Sequence, residues 1–101
     1  MKITAIEYTR GYGYMSRAEL IKQFKMSKAS VDKRIKEIRD EIQNGRYSEE
    51  SIIKDGGFVL VNYLVFVDYF ANRQKLLEPN LRKQVKPFNA YDIAKNLGWY
   101  N

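Results

Sequence analysis

The sequence contains no cysteine and no histidine, and only two of its 101 residues are proline. Without cysteine there is neither a disulfide framework nor a thiolate nucleophile, and without histidine there is no imidazole base. The two absences together exclude a zinc site built from Cys and His ligands. The catalytic mechanisms that depend on Cys or His are therefore excluded. We predict that the protein is not an enzyme and needs no metal or cofactor.

Acidic residues are in deficit. The sequence has 12 Asp and Glu residues and 18 Lys and Arg residues, which gives a net charge of +6 and a pI of about 9.6. A chain of 101 residues, 45% of them hydrophobic, is long enough to build one compact domain around a core. A compact basic domain points first to a polyanionic partner.

Long hydrophobic runs are also missing. The most apolar stretch, residues 58–70, is interrupted by Asn62 and Asp68. It falls short of the roughly 20 residues needed to cross a bilayer. The first residues have no apolar core of signal-peptide length. We expect a soluble, cytoplasmic protein with no membrane partner.

Two serines each mark the start of a predicted helix. Ser16 is followed three residues later by Glu19, the spacing of a capping box, and this helix should end near Lys25. Ser27 caps a second predicted helix over residues 28–43. The apolar residues of this helix form one stripe at helical period: Val31, Ile35, Ile38 and Ile42.

Two helices joined by a tight turn, the second basic at its start, are the parts of a helix-turn-helix. In such a motif the second helix projects its N-terminal side chains into the DNA major groove, and the amides at its N-terminus favour phosphate. The alternative is a helical hairpin whose lysines form a solvated face. Four acidic residues lower the net positive charge of the second predicted helix. We expect them to form ion pairs at helical spacing along it: Asp32, Glu37, Asp40 and Glu41.

A β-hairpin signal follows. Two β-prone runs, residues 52–54 and 58–61, flank an Asp-Gly-Gly turn. Asn62 can then cap a third helix over residues 63–75, although a single buried strand over residues 58–70 is a rival interpretation. The side chains expected to line the buried side of that helix are Leu64, Phe66, Val67 and Phe70. The predicted fold class is mainly α with a small β-hairpin, a winged helix-turn-helix.

The predicted domain covers residues 1–79, with an N-terminal arm. A Gly- and Tyr-rich segment at residues 8–14 could reach a DNA groove or pack on the domain, and packing is favoured because tyrosine is commonly half-buried. Residues 47–51 are polar and could form one helical turn capped by Ser48.

Residues 80–101 form a predicted basic C-terminal extension packed on the same domain. Asn89 caps a short helix over residues 90–97, and Gly98 ends it. Trp99 and Tyr100 are expected to fold back on the core. The basic segment before Pro87 is either a second phosphate contact or a solvated connection.

Three stretches carry a resemblance to a known family. Residues 15–21 (MSRAELI) resemble its opening helix, residues 26–35 (MSKASVDKRI) its turn and recognition helix, and residues 57–70 its wing strand and following helix. The family is the excisionase-like helix-turn-helix group of phages and integrative elements, which is itself similar to the mercury-resistance-regulator winged helices. The resemblance implies a small DNA-binding factor in a bacterial or phage-infected cell. Such a factor binds repeated sites at an element's end, bends the DNA and assists an integrase.

Two alternatives stay open. One is a phage transcriptional regulator of the same fold. The other is a protein-interaction module, for example an inhibitor, built on a winged helix. Under the DNA-binding hypothesis the contact residues would come from the two helices and the hairpin turn: Arg17, Ser27, Lys28, Ser30, Lys33, Arg34, Lys36, Lys54 and Gly56.

Overall fold

The computed structural model describes residues 13–98. The expectations for an N-terminal arm before residue 13, and for Trp99 and Tyr100, lie outside the described residues. The elements in chain order are β1 (Tyr14–Ser16), α1 (Arg17–Phe24), α2 (Lys28–Gln43), a 3-10 turn (Glu49–Ser51), β2 (Ile52–Asp55), β3 (Phe58–Asn62), α3 (Tyr63–Leu77), α4 (Pro79–Arg82) and α5 (Ala90–Asn96). The described chain is mainly helical with one small antiparallel sheet.

The helix starts predicted at Ser16 and Ser27 are confirmed. The Ser16 hydroxyl accepts from the Glu19 amide at 3.2 Å, and the Glu19 carboxylate accepts from the Ser16 amide at 3.0 Å. Ser27 accepts from the Ser30 amide at 3.1 Å. Between the two helices, Lys25 takes a left-handed φ of 53°, which lets its amide cap α1 and keeps the turn short.

The sheet has three strands, one more than the sequence predicted. The hairpin is confirmed, with Asp55 paired to Phe58 across the two-glycine turn. β3 lies in the centre because β1 pairs with its other edge, placing Met15 opposite Val61. β1 was not predicted, since a three-residue strand has no periodicity of its own and depends on its distant partner.

The helical interpretation of residues 63–75 is confirmed, and the rival single strand is wrong. Asn62 caps α3 by accepting from the Val65 amide at 3.1 Å. The expected burial of Phe70 is wrong, because this side chain is 47% exposed while Tyr69 is buried. One residue is a rotation of about 100° on a helix, so Phe70 lies at the edge of the core. Its ring centre is 5.1 Å from that of Phe24.

One core joins the sheet to the three longer helices. Its fully buried members include Leu20 from α1, Val31 and Ile38 from α2, Val61 from β3 and Tyr69 from α3. Because α2 buries its apolar stripe here, the opposite side of α2 is left to solvent.

The segment from Pro79 onward packs on the same core. Phe88 meets the buried Tyr47 ring edge-on, with ring centres 5.2 Å apart, and Ala94 of α5 is buried. Asn89 caps α5, and Gly98 follows with a φ of 80°, both as predicted. The 3-10 turn is present, but the predicted cap is wrong because the Ser48 side chain makes no capping hydrogen bond. Within residues 13–98 no helix is both long and apolar enough to span a membrane.

Candidate nucleic-acid interface

Three lysines lie exposed between the start and the middle of α2. These are Lys28, Lys33 and Lys36. None of them makes an ion pair with another residue between positions 13 and 98. Lys33 and Lys36 stand on the side of α2 opposite the buried stripe, so their ammonium groups face solvent together.

Three of the four carboxylates of α2 are paired with arginines from other elements. Asp32 lies 2.9 Å from Arg17 of α1, measured between Oδ1 and Nε. Glu37 accepts two hydrogen bonds from Arg73 of α3, at 2.7 and 3.0 Å. Glu41 forms a two-armed pair with Arg82 of α4. The expected ion pairs at helical spacing along α2 are therefore wrong for three of its four acids.

This pairing changes the charge that α2 presents. The hydrogen bond from Arg73 lowers the pKa of Glu37, with a further contribution from the Tyr69 hydroxyl, which donates to it at 2.7 Å. The hydrogen bond with Glu41 raises the pKa of Arg82. Each of these three acids is thus paired with a guanidinium. Among the described residues, Asp40 is the one α2 carboxylate outside such a pair, and the lysines dominate the exposed face.

The two predicted serines have different surroundings. The Ser27 hydroxyl is used at the helix start, where it accepts from the Ser30 amide and donates to the Ser30 hydroxyl at 3.0 Å. The Ser30 hydroxyl is thereby left with its own hydrogen to donate. Ser30 is thus better placed than Ser27 to donate to a phosphate or a base.

The two predicted arginines do not join the lysine group. Arg17 is engaged with Asp32, and both side chains are 41% exposed. Arg34 is half-buried, and its guanidinium lies over Phe70, 5.8 Å from the ring centre. Arg17 therefore links α1 to α2, and Arg34 packs α2 on α3.

The hairpin turn carries the remaining predicted residues. Lys54 and Gly56 are both exposed, and Gly56 adopts a φ of 59°, a conformation that few residues other than glycine take readily. Phe58, at the start of β3, is 72% exposed. The turn therefore offers a cation and an aromatic ring on a separate element from α2.

Sequence reasoning missed the arginines that hold α2. Every ion pair within residues 13–98 uses an arginine and none uses a lysine. Only a guanidinium offers a planar fork that matches a carboxylate with two hydrogen bonds. The presence of Arg rather than Lys at positions 73 and 82 could have indicated ion pairs, but the sequence does not show which carboxylate each arginine binds. Arg39, an exposed cation on α2, was also missed.

Residues 13–98 contain no cluster of three or more acidic side chains that could hold a metal ion. Comparison of the chain with protein-family models, with curated proteins and with solved structures finds no match.

Proposed function

We propose that the chain binds double-stranded DNA through the lysine face of α2, which consists of Lys33 and Lys36 together with Lys28 at the helix start. One observation carries this proposal. Lys28, Lys33 and Lys36 are exposed without ion pairs in the described chain, while arginines from α1, α3 and α4 neutralise the acids beside them. A rigid cationic helix face matches the phosphate-lined walls of a major groove.

The element order supports a winged helix-turn-helix. A short turn separates α1 from α2, and the β2–β3 hairpin follows as the wing. The strand before the helix pair returns to the sheet beside β3. In a winged helix-turn-helix the first helix holds the second at an angle, and α2 would take the place of the recognition helix.

The cross-element ion pairs also support the proposal through rigidity. The pairs at Asp32, Glu37 and Glu41 fix α2 to three neighbours along its length. A face held in one orientation loses less conformational entropy on binding.

The lysine face is tested by a gel-shift salt titration on a Lys33→Ala, Lys36→Ala variant. We expect weaker duplex binding and a salt dependence reduced by about two phosphate contacts, because each contact releases counterions. Lys22→Ala, Lys25→Ala is the control, since it removes the same charge from exposed positions outside α2, the hairpin turn and the basic C-terminal segment. Circular dichroism verifies that both variants fold.

Two outcomes would contradict the proposed face. One is undiminished duplex affinity in the folded Lys33 and Lys36 variant. The other is an equal loss in both variants, which would indicate attraction by net charge alone. No duplex binding by the wild-type protein at moderate salt would favour the protein-interaction alternative.

The narrower role that we propose is an excisionase-like architectural factor. Its support is the sequence resemblance of residues 15–21, 26–35 and 57–70. Footprinting on the DNA adjoining the coding region tests it. Repeated protected sites at an element's end support an excision factor, whereas protected promoter sites support the transcriptional regulator.

A further inference from the structure

A polar cleft of about 500 Å³ lies away from the lysine face of α2. It is bounded by α3, by the segment that follows α4, and by α5. Each of these three parts contributes one lysine to its lining: Lys75, Lys86 and Lys95. Three consecutive segments of the chain thus bring three cations to one concavity.

The buried carboxylate in the lining of the cleft is paired with an arginine behind it. Asp68, only 3% exposed, accepts from Arg46 at 2.8 and 3.1 Å and from the Tyr47 hydroxyl at 2.6 Å. Asn72 donates to the other oxygen of Asp68 at 3.2 Å. Because Arg46 balances Asp68, this carboxylate does not cancel the charge of the lysines.

The same network positions one of the lysines. A third nitrogen of Arg46, Nη1, donates to the carbonyl of Lys86 at 2.9 Å. This hydrogen bond ties the backbone at Lys86 to the buried Asp68. The cation is therefore attached to a fixed point on the cleft wall, while its side chain stays exposed.

The lining defines the chemistry of a ligand. The three lysines are exposed and make no ion pair within residues 13–98, and Asp92 is the one lining carboxylate besides Asp68. Amides of Gln84 and Asn96 add donors and acceptors. Among residues 13–98 no aromatic side chain lines the cleft, so this part of the chain offers no ring on which a nucleobase could stack.

We propose that this cleft binds a small phosphorylated polyanion, such as a sugar phosphate or pyrophosphate. A concave site with separated lysines suits a compact ligand that carries two or more anionic groups. The bound ligand would join α3 to α5 and so fasten the C-terminal segment to the domain. This inference is independent of DNA binding by α2.

The experiment is calorimetric titration of the full chain with inorganic pyrophosphate in 150 mM salt, which screens diffuse attraction. We expect saturable binding to one site. Lys75→Gln, Lys86→Gln, Lys95→Gln should weaken it at least tenfold. The matched control, Lys22→Gln, Lys25→Gln, Lys83→Gln, removes the same charge from exposed lysines outside the cleft and should retain it.

Thermal denaturation of both triple variants without ligand verifies that they fold, and pyrophosphate should raise the melting temperature of the control alone. Three outcomes would overturn the proposal. The first is that the wild-type chain shows no saturable binding of pyrophosphate, and the second is that both triple variants lose pyrophosphate binding equally. The third is that the wild-type chain does not bind pyrophosphate while the cleft variant loses affinity for duplex DNA. The last would assign these lysines to DNA.

Discussion

Arg73 on α3 holds Glu37 on α2 through two hydrogen bonds of 2.7 and 3.0 Å. Their side chains are only 20% and 14% exposed, so the pair is partly shielded from water. Tyr69 donates a third hydrogen bond to the same carboxylate. This pair fastens α2 to α3 and removes a negative charge from the flank of the lysine face.

The first prediction concerns the pH dependence of stability at Glu37. Its pKa is lowered in the folded protein from 4.5, mainly by the Arg73 hydrogen bond. The pair therefore contributes its full stabilisation above about pH 4.5, and this contribution is lost as the pH falls through the lower folded-state pKa. Glu37→Gln should be less stable than wild type at pH 7, and the difference should shrink on acidification.

Urea unfolding between pH 7 and 3 measures this difference. Glu49→Gln is the control, because Glu49 is exposed and makes no ion pair in the described part of the chain. It should match the wild type at pH 7. A Glu37→Gln deficit that stays constant with pH would show that the pair is not the cause.

The second prediction links the Arg73–Glu37 pair to DNA affinity and rests on the proposed function. Arg73→Gln leaves the Glu37 carboxylate unbalanced near the lysine face, which should repel phosphate and weaken duplex binding. Adding Glu37→Gln removes that charge and should restore affinity, although the proposed face does not include Arg73. Fluorescence anisotropy on a labelled duplex measures both variants. Failure of the second substitution to restore binding in a folded protein would contradict this electrostatic explanation.

The third prediction concerns the buried Asp68. Asp68→Ala leaves the Arg46 guanidinium, whose side chain is 9% exposed, without its counter-ion. Breaking a buried pair in this way costs about 3–5 kcal/mol, which lowers the melting temperature by more than about 10 °C in a domain of this size. Calorimetry measures the shift. Asp40→Ala, at an exposed acid on α2, should change stability by less than about 0.5 kcal/mol.

The fourth prediction compares two serines at helix starts. Ser16→Ala removes one half of a capping box and should destabilise the protein by about 1 kcal/mol. Ser48→Ala should have little effect, because the Ser48 side chain makes no capping hydrogen bond. Equal losses in chemical denaturation would mean that the cap hydrogen bond is not what stabilises α1.

Local chemistry made most of the element boundaries predictable. The starts of α1, α2, α3 and α5 depend on a side chain that bonds an amide three residues ahead. Such a contact needs no tertiary partner. The β2–β3 turn was predictable for a similar reason, since a glycine at its first position accommodates a positive φ.

The candidate site was only partly predictable. Helical spacing placed Lys33 and Lys36 opposite the apolar stripe, as the structure has them. The DNA-binding hypothesis added Arg34, on the flank of the helix, to those lysines as a contact residue, whereas Arg34 packs over Phe70. The spacing along a helix determines the direction in which a side chain points. Whether that side chain is exposed to solvent or packed depends on the position of the neighbouring helix.

The sequence by itself therefore determined where the helices and the hairpin lie and which face of α2 carries lysine, because caps, turns and periodicity act over a few residues. Tertiary structure alone decided the third strand and the partners of the acids. Arg73 is 36 residues from Glu37, and Arg82 is 41 residues from Glu41. No local pattern specifies such pairs, since they form only when packing of the core brings distant helices side by side.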